Sequence, residues 1–205
     1  MNASYYIKSF CTIKQGHVFL NKAIVFQNNS SLFQEFAKAA YKNLEMNYSK
    51  FFKMDNLSKL AVLTADYLFR KEGISEVTPS NIALVLANRA SSLDTDRKHQ
   101  ASIQDKETYY PSPAVFVYTL PNICLGEISI KYKLYTENSF FIFDNFQPQE
   151  LMVYTKGLLD NNKADHVLCG WVDFDGEAYE SFLYLVSKEG SLEHTEKNIL
   201  KLYNA

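Results

Sequence analysis

The sequence predicts an α/β protein in which a mixed five-stranded sheet is covered by helices on both faces. Three observations carry this expectation. The runs at 82–87 and 140–143 are unbroken stretches of apolar residues, which mark strands buried on both faces. Elsewhere apolar residues recur at helical spacing, most clearly Leu57, Leu60, Ala61, Thr64, Leu68 and Phe69. The two kinds of segment alternate along the chain, the βαβ pattern of a layered and largely parallel sheet.

Taken in order, residues 5–13 and 23–26 are rich in β-branched and aromatic side chains and read as short strands, with a turn at Lys14-Gln15-Gly16 after the first. The polar cluster at 28–31 ends in Ser31, a cap for a helix over 32–44 with Glu35 as capping partner. Residues 47–55 look irregular. The clearest helix follows Asp55-Asn56 and stops at Gly73, behind the helix-ending charges of Arg70 and Lys71. After the strand at 82–87, residues 91–110 read as a short helix and a loop. Ser112-Pro113 opens a helical segment over 114–132 that Pro121 interrupts. The strand at 140–143 leads to a helix from Pro148 to about residue 159. Strands at 166–172 and 182–186 and a closing helix over 192–202 complete the pattern. No linker or repeat divides the chain, so residues 1–205 read as one domain.

Composition narrows the function. With 21 basic and 23 acidic residues the net charge is −2, and no Lys/Arg run offers a footprint for nucleic acid or an anionic membrane. No stretch approaches the ~20 apolar residues that span a bilayer, and residues 1–10 do not read as a secretory leader. Cys11, Cys124 and Cys169 are odd in number and unpaired in spacing, which points to buried structural thiols in a reducing, cytoplasmic setting. Asp94 with Asp96, and Asp173 with Asp175, are metal-ligand types, but no third ligand has suitable spacing and solvated loops are expected. His166 beside Asp165 could form a catalytic pair, although neighbours on a strand face opposite ways. The seven glycines are scattered, with no phosphate-cradling loop, and no cofactor or metal is expected. Fifteen Phe and 14 Tyr suit packed sheets and subunit contacts.

Three stretches carry a resemblance. They are Phe51-Phe52-Lys53-Met54-Asp55-Asn56-Leu57-Ser58-Lys59-Leu60; residues 82–96, with Ser91-Ser92 and Thr95-Asp96; and Ser112-Pro113, Thr119-Leu120-Pro121-Asn122-Ile123, Gly126-Glu127-Ile128 and Glu137-Asn138-Ser139, followed by the strand at 140–143 and by Ala164-Asp165-His166-Val167 through Gly170. In order and spacing, over roughly residues 5–190, they resemble the amino-terminal half of the β-ketoacyl synthases. The nearest subgroup is the short chain-length-factor-like subunit of aryl polyene and flexirubin pathways. The resemblance implies half of a thiolase-like fold.

The resemblance also implies what the chemistry needs. A condensing enzyme carries a cysteine at a sharp strand-to-helix elbow, where the helix N-terminus lowers the thiol pKa. Here the elbow reads Phe143-Asp144-Asn145-Phe146-Gln147-Pro148, and counting from Glu137-Asn138-Ser139 places Phe146 at the nucleophile position, with Asn145 and Gln147 beside it. None of the three forms a thioester. Gln147 resembles the glutamine that chain-length factors carry near this point. The family's oxyanion-hole histidines come from a carboxy-terminal half that has no counterpart in this sequence, and His17, His99, His166 and His194 lie in segments unlike those motifs.

The expectation is therefore a non-catalytic subunit that pairs with a full-length β-ketoacyl synthase, or with a second copy of itself, and meets acyl carrier protein. By resemblance the pairing strand is Phe140, Phe141, Ile142 and Phe143. Phe116, Val117, Tyr118, Thr119 and Ile123 would face the neighbour or else fill this chain's own core. The competing expectations are a small thioesterase or acyltransferase using Cys124 or a serine, though no Gly-x-Ser-x-Gly elbow is present, and a self-associating binder of acyl chains or carrier protein.

Overall fold

The computed structural model describes residues 4–107 and 109–205; residues 1–3, part of the stretch read for a leader, lie outside the described residues. The chain runs β1 (Tyr6–Lys14), β2 (His17–Leu20), β3 (Ala23–Gln27), α1 (Phe33–Asn43), a 3₁₀ turn (Ser49–Lys53), α2 (Asn56–Lys71), β4 (Ile82–Asn88), α3 (Leu93–Ile103), α4 (Pro113–Val117), α5 (Ile123–Tyr132), β5 (Asn138–Ile142), α6 (Pro148–Asp160), β6 (His166–Asp175), β7 (Ala178–Ser187), β8 (Leu192–Glu193) and α7 (Glu196–Tyr203).

The α/β class stands, and the strand count is corrected from five to eight. The sheet runs β3-β2-β1-β7-β6-β4-β5, with β8 added on β1. Five strands, β1-β7-β6-β4-β5, form its body, extended by the short β2–β3 hairpin and by β8. The strand read at 23–26 is β3; its partner β2 escaped the sequence pattern because it has only four residues, HVFL, with one of them fully buried. The sheet is mixed rather than largely parallel. Only β4–β5 and β4–β6 are parallel, while β6–β7, β1–β7, β1–β2 and β2–β3 are antiparallel. The long β6–β7 hairpin turns at Gly176, with φ of +65°. Its strands approach so closely that a Cβ on Gly170 would stand 2.0 Å from the Phe182 carbonyl oxygen. Only glycine fits there.

Alternate residues of each strand feed two cores. Leu84, Leu86, Leu168, Leu183 and Leu185 point to the face covered by α1, α2 and α5. Ala83, Val85, Val167, Cys169 and Val186 point to the face covered by α6 and α7. All seven residues of β4 are buried, as its apolar run required. In α2, 13 of 16 residues are buried, since the helix lies between the sheet and two other helices. Asp55 caps it by accepting from the Ser58 N–H at 2.9 Å, and Gly73 ends it at φ of +67°.

Local expectations shift in places. The α1 start is tied by Ser30, not Ser31: the Leu32 N–H donates to Ser30 Oγ, which itself donates to Glu35. The irregular 47–55 segment contains the 3₁₀ turn. Pro121 does split 114–132, into α4 and α5. The closing segment is not one helix, because Leu192 and Glu193 pair with β1 before Thr195 caps α7. In α7, Ile199 and Leu202 share a core with Leu151, Leu158 and Leu159 of α6, so the carboxy-terminal helix covers the apolar face of α6 within the chain.

Candidate functional site at the strand-to-helix elbow

The parallel strands β4 and β5 end side by side, and the chain leaves β5 through Phe143-Asp144-Asn145-Phe146-Gln147 into α6, whose first residue is Pro148. The Phe143 N–H donates to the Asn88 carbonyl at 2.9 Å, holding the elbow to the end of β4. Gln147 Nε2 donates to Asn145 Oδ1 at 3.0 Å. Asn145 is exposed, and Phe146 points inward at 8% exposure.

Phe146 is held by aromatic rings. Its centroid lies 4.5 Å from Tyr203, 5.8 Å from Phe182 and 6.0 Å from Trp171. Trp171 Nε1 and Tyr203 Oη both donate to Glu180 Oε1, at 3.1 and 2.8 Å. An open cleft of about 540 Å³ lies over this group. Besides Phe146, Trp171 and Tyr203, its wall carries Arg89, Asp144, Asp173, Glu177 and Tyr179, and among the described residues no Ser, Cys, Thr or His lines it. Asp173 accepts from the N–H groups of Arg89 and Ala90 at 3.1 and 2.9 Å. Asp173 therefore ties the ends of β4 and β6 together, and the described residues of the cleft wall carry carboxylates but neither a Ser, Thr or Cys nucleophile nor an imidazole.

The other candidate groups are dispersed. Cys11, Cys124 and Cys169 are at most 1% exposed. Burial pushes the Cys124 thiol well above its ordinary value, with Asp55 adding to the effect, and pushes Cys169 up to about 11. Neither presents a thiolate to a substrate. The four histidines sit in different elements. His17 is in β2, bonded to the Gln15 carbonyl; His99 is in α3 beside Phe116; His166 begins β6, its pKa lowered mainly by burial; His194 lies between β8 and α7 against Tyr184. Asp165, the neighbour of His166, accepts from Asn81 instead. Asp94 pairs with Lys98 and Asp175 with Arg97. Among the described residues no group of three His, Cys, Asp or Glu side chains is arranged to hold a metal ion.

The pairing residues separate into two sets. On β5, an edge strand bonded only to β4, Ile142 is 55% exposed. Phe140 and Phe141 are half-buried, Phe140 against the α2 side and Phe141 against the α6 side. Phe143 lies just past the strand and stacks on Phe141 at 5.8 Å. On α4, Phe116 and Val117 are exposed at 59% and 48%. Tyr118, by contrast, is buried at 8%, Thr119 is half-buried, and Ile123 packs on the inner core. The division between exterior and interior falls at the end of α4, between Val117 and Tyr118; the expected break at Pro121 sets only Ile123 apart, on α5.

No family model matches the sequence, and no curated protein matches it. Solved structures do. The chain superposes on the ishigamide ketosynthase/chain length factor with a TM-score of 0.63 and 14% identity, over 90% of this chain and 62% of that one. It superposes on the ketosynthase ApeO in complex with its chain length factor ApeC from Xenorhabdus doucetiae with a TM-score of 0.61 and 13% identity, over 98% and 90%. The chain has a ketosynthase-like, thiolase-type fold. A third ketosynthase-fold match is the complex AntDE:AntF, a type II polyketide synthase acyl-carrier protein with its ketosynthase, with a TM-score of 0.65 and 9% identity over 99% and 66%. The chain thus spans less than two thirds of the length of the first of these ketosynthase-fold structures and most of the second. Among the described residues, no helix is long and apolar enough to cross a membrane.

Proposed function

We propose that residues 1–205 form one non-catalytic ketosynthase-like subunit. It pairs with an active full-length β-ketoacyl synthase and shapes that enzyme's acyl tunnel, as a chain-length factor does, in the polyketide or fatty-acid-type chemistry of aryl polyene pigments. The observation that carries this reading is Phe146 at the elbow. A ring that cannot be acylated fills the position, and Trp171, Phe182 and Tyr203 fix it there.

The pairing surface is the free edge of β5 with the exposed ring of Phe116 on α4. An uncovered strand edge next to apolar side chains is a liability that pairing removes. The matching folds include a ketosynthase bound to its chain length factor and one bound to an acyl-carrier protein, which supports the synthase as partner and a carrier protein as visitor to the complex. Three buried, unpaired thiols suit the cytoplasm, and the reading needs no cofactor.

Co-purification tests the proposal. The tagged chain should retain a full-length β-ketoacyl synthase of the same organism as a one-to-one complex. A chain that stays monomeric at high micromolar concentration, with or without the synthase, contradicts it; a stable dimer of this chain that excludes the synthase assigns the β5 edge to a second copy instead.

A further inference from the structure

Helix α4 is five residues long and has no buried side chain. A helix that short does not persist on its own, yet it presents Phe116 and Val117 to the exterior. Its start is capped by Ser112, whose Oγ accepts from the Val115 N–H at 3.4 Å. Its end is fixed from inside. Tyr118, the residue after the helix, is buried, and its hydroxyl donates to Glu127 Oε1 of α5 at 2.8 Å. Glu127 is itself only 4% exposed, and its other oxygen lies 2.8 Å from Lys50 Nζ, an ion pair by distance without hydrogen-bond geometry. A buried carboxylate persists when it is paired and hydrogen-bonded. Two lighter contacts complete the mount: Ser92 Oγ donates to the Thr119 carbonyl at 2.7 Å, and the His99 ring lies 5.4 Å from that of Phe116.

We infer that the Tyr118–Glu127–Lys50 chain is the positioning device that aims Phe116, so that these three residues, none on the outer face of α4, set how sharply the synthase's product length is defined. The functional half of the inference rests on the proposed pairing with a synthase. The physical reason is leverage. Of the contacts named, the one that joins the end of α4 to a buried, charge-balanced group is the Tyr118 hydroxyl. A hydrogen bond to a charged acceptor is among the stronger ones, and it ties α4 to α5, which packs on α2. Without it the helix end keeps only its backbone turn and the lighter contacts.

The test uses the chain in complex with the co-purified synthase and compares Tyr118→Phe, Lys50→Met and Phe116→Ala. Tyr118→Phe removes one oxygen and keeps the ring, and Lys50→Met reaches the same link from its other end. Both should raise amide exchange at residues 115–119 by about tenfold with β4 and β6 unchanged, and should broaden the product-length distribution without dissociating the complex. Wild-type exchange in both variants overturns the inference. So does raised exchange with an unchanged product distribution when Phe116→Ala shifts it. Raised exchange with products insensitive to Phe116→Ala as well upholds the positioning and overturns the tunnel-shaping reading.

Discussion

The ring of Tyr203 lies against that of Phe146, with centroids 4.5 Å apart, so the last helix of the chain closes over the elbow. The same helix covers the apolar face of α6. Helix α7 thereby supplies cover to the helix that follows the elbow, and it does so with the ring that holds Phe146 in place.

Truncating Phe146 should be costly. Phe146→Ala removes contacts with three rings and should destabilise the chain by about 3 kcal/mol or more, read as a lower urea midpoint at unchanged slope. Phe146→Cys introduces a thiol but no imidazole, because none lines the cleft among the described residues. It should therefore show no acyl transfer from an acyl thioester above the rate of an ordinary exposed cysteine.

The β5 edge should tolerate a charge in the free chain and not in the complex. Ile142 is more than half exposed, so Ile142→Asp should leave thermal unfolding nearly unchanged. In the paired state the same carboxylate is buried without a partner, a cost of several kcal/mol, and sedimentation should show separate species. Phe141 is the poorer probe, because it also contacts Tyr154 and Phe143 within the chain.

Stability should fall in mild acid through His194. Burial lowers its pKa from 6.5 to about 4, and its Nε2 has no hydrogen-bond partner among the described residues. Because the folded value lies below the unfolded one, the contribution is complete above the unfolded pKa and is lost as pH falls from 6.5 toward 4. The difference amounts to roughly 3 kcal/mol. His194→Phe should flatten that part of the stability–pH curve, measured by urea titration at each pH.

Lys131 should be the most sensitive charge in the fold. Its side chain is fully buried, pairs with Asp66 at 2.7 Å and also meets Glu76. Asp66 further accepts from Arg70 and from the Tyr132 hydroxyl. Lys131→Met leaves the buried Asp66 undercompensated and should cost about 3 kcal/mol. The surface pair Lys156–Asp160, broken in the same way, should leave stability nearly unchanged, because solvent screens it.

Sequence pattern made legible what local chemistry dictates. The run of β4, the helix start at Asp55-Asn56, the stop at Gly73, the Ser112-Pro113 start and the break at Pro121 each follow from one or two residues. Phe146 at the elbow was readable by counting once the resemblance was drawn. Other features depend on distant partners. The β2–β3 hairpin gains its place by extending β1, and β8 forms because residues 192–193 meet Tyr6 and Ile7. Tyr118 turns inward at the end of α4 to meet Glu127 while Phe116 stays out, and the position of Pro121 gives no sign of it. The Tyr203–Phe146 contact joins residues 57 positions apart, and no local signal marks it.

The most direct test of the central claim is intact-mass spectrometry of the co-purified pair after incubation with an acyl thioester. The account predicts one acyl group on the synthase and none on this chain. Stoichiometric acylation of this chain, abolished by Cys124→Ala, would contradict it and assign the chain a chemistry of its own.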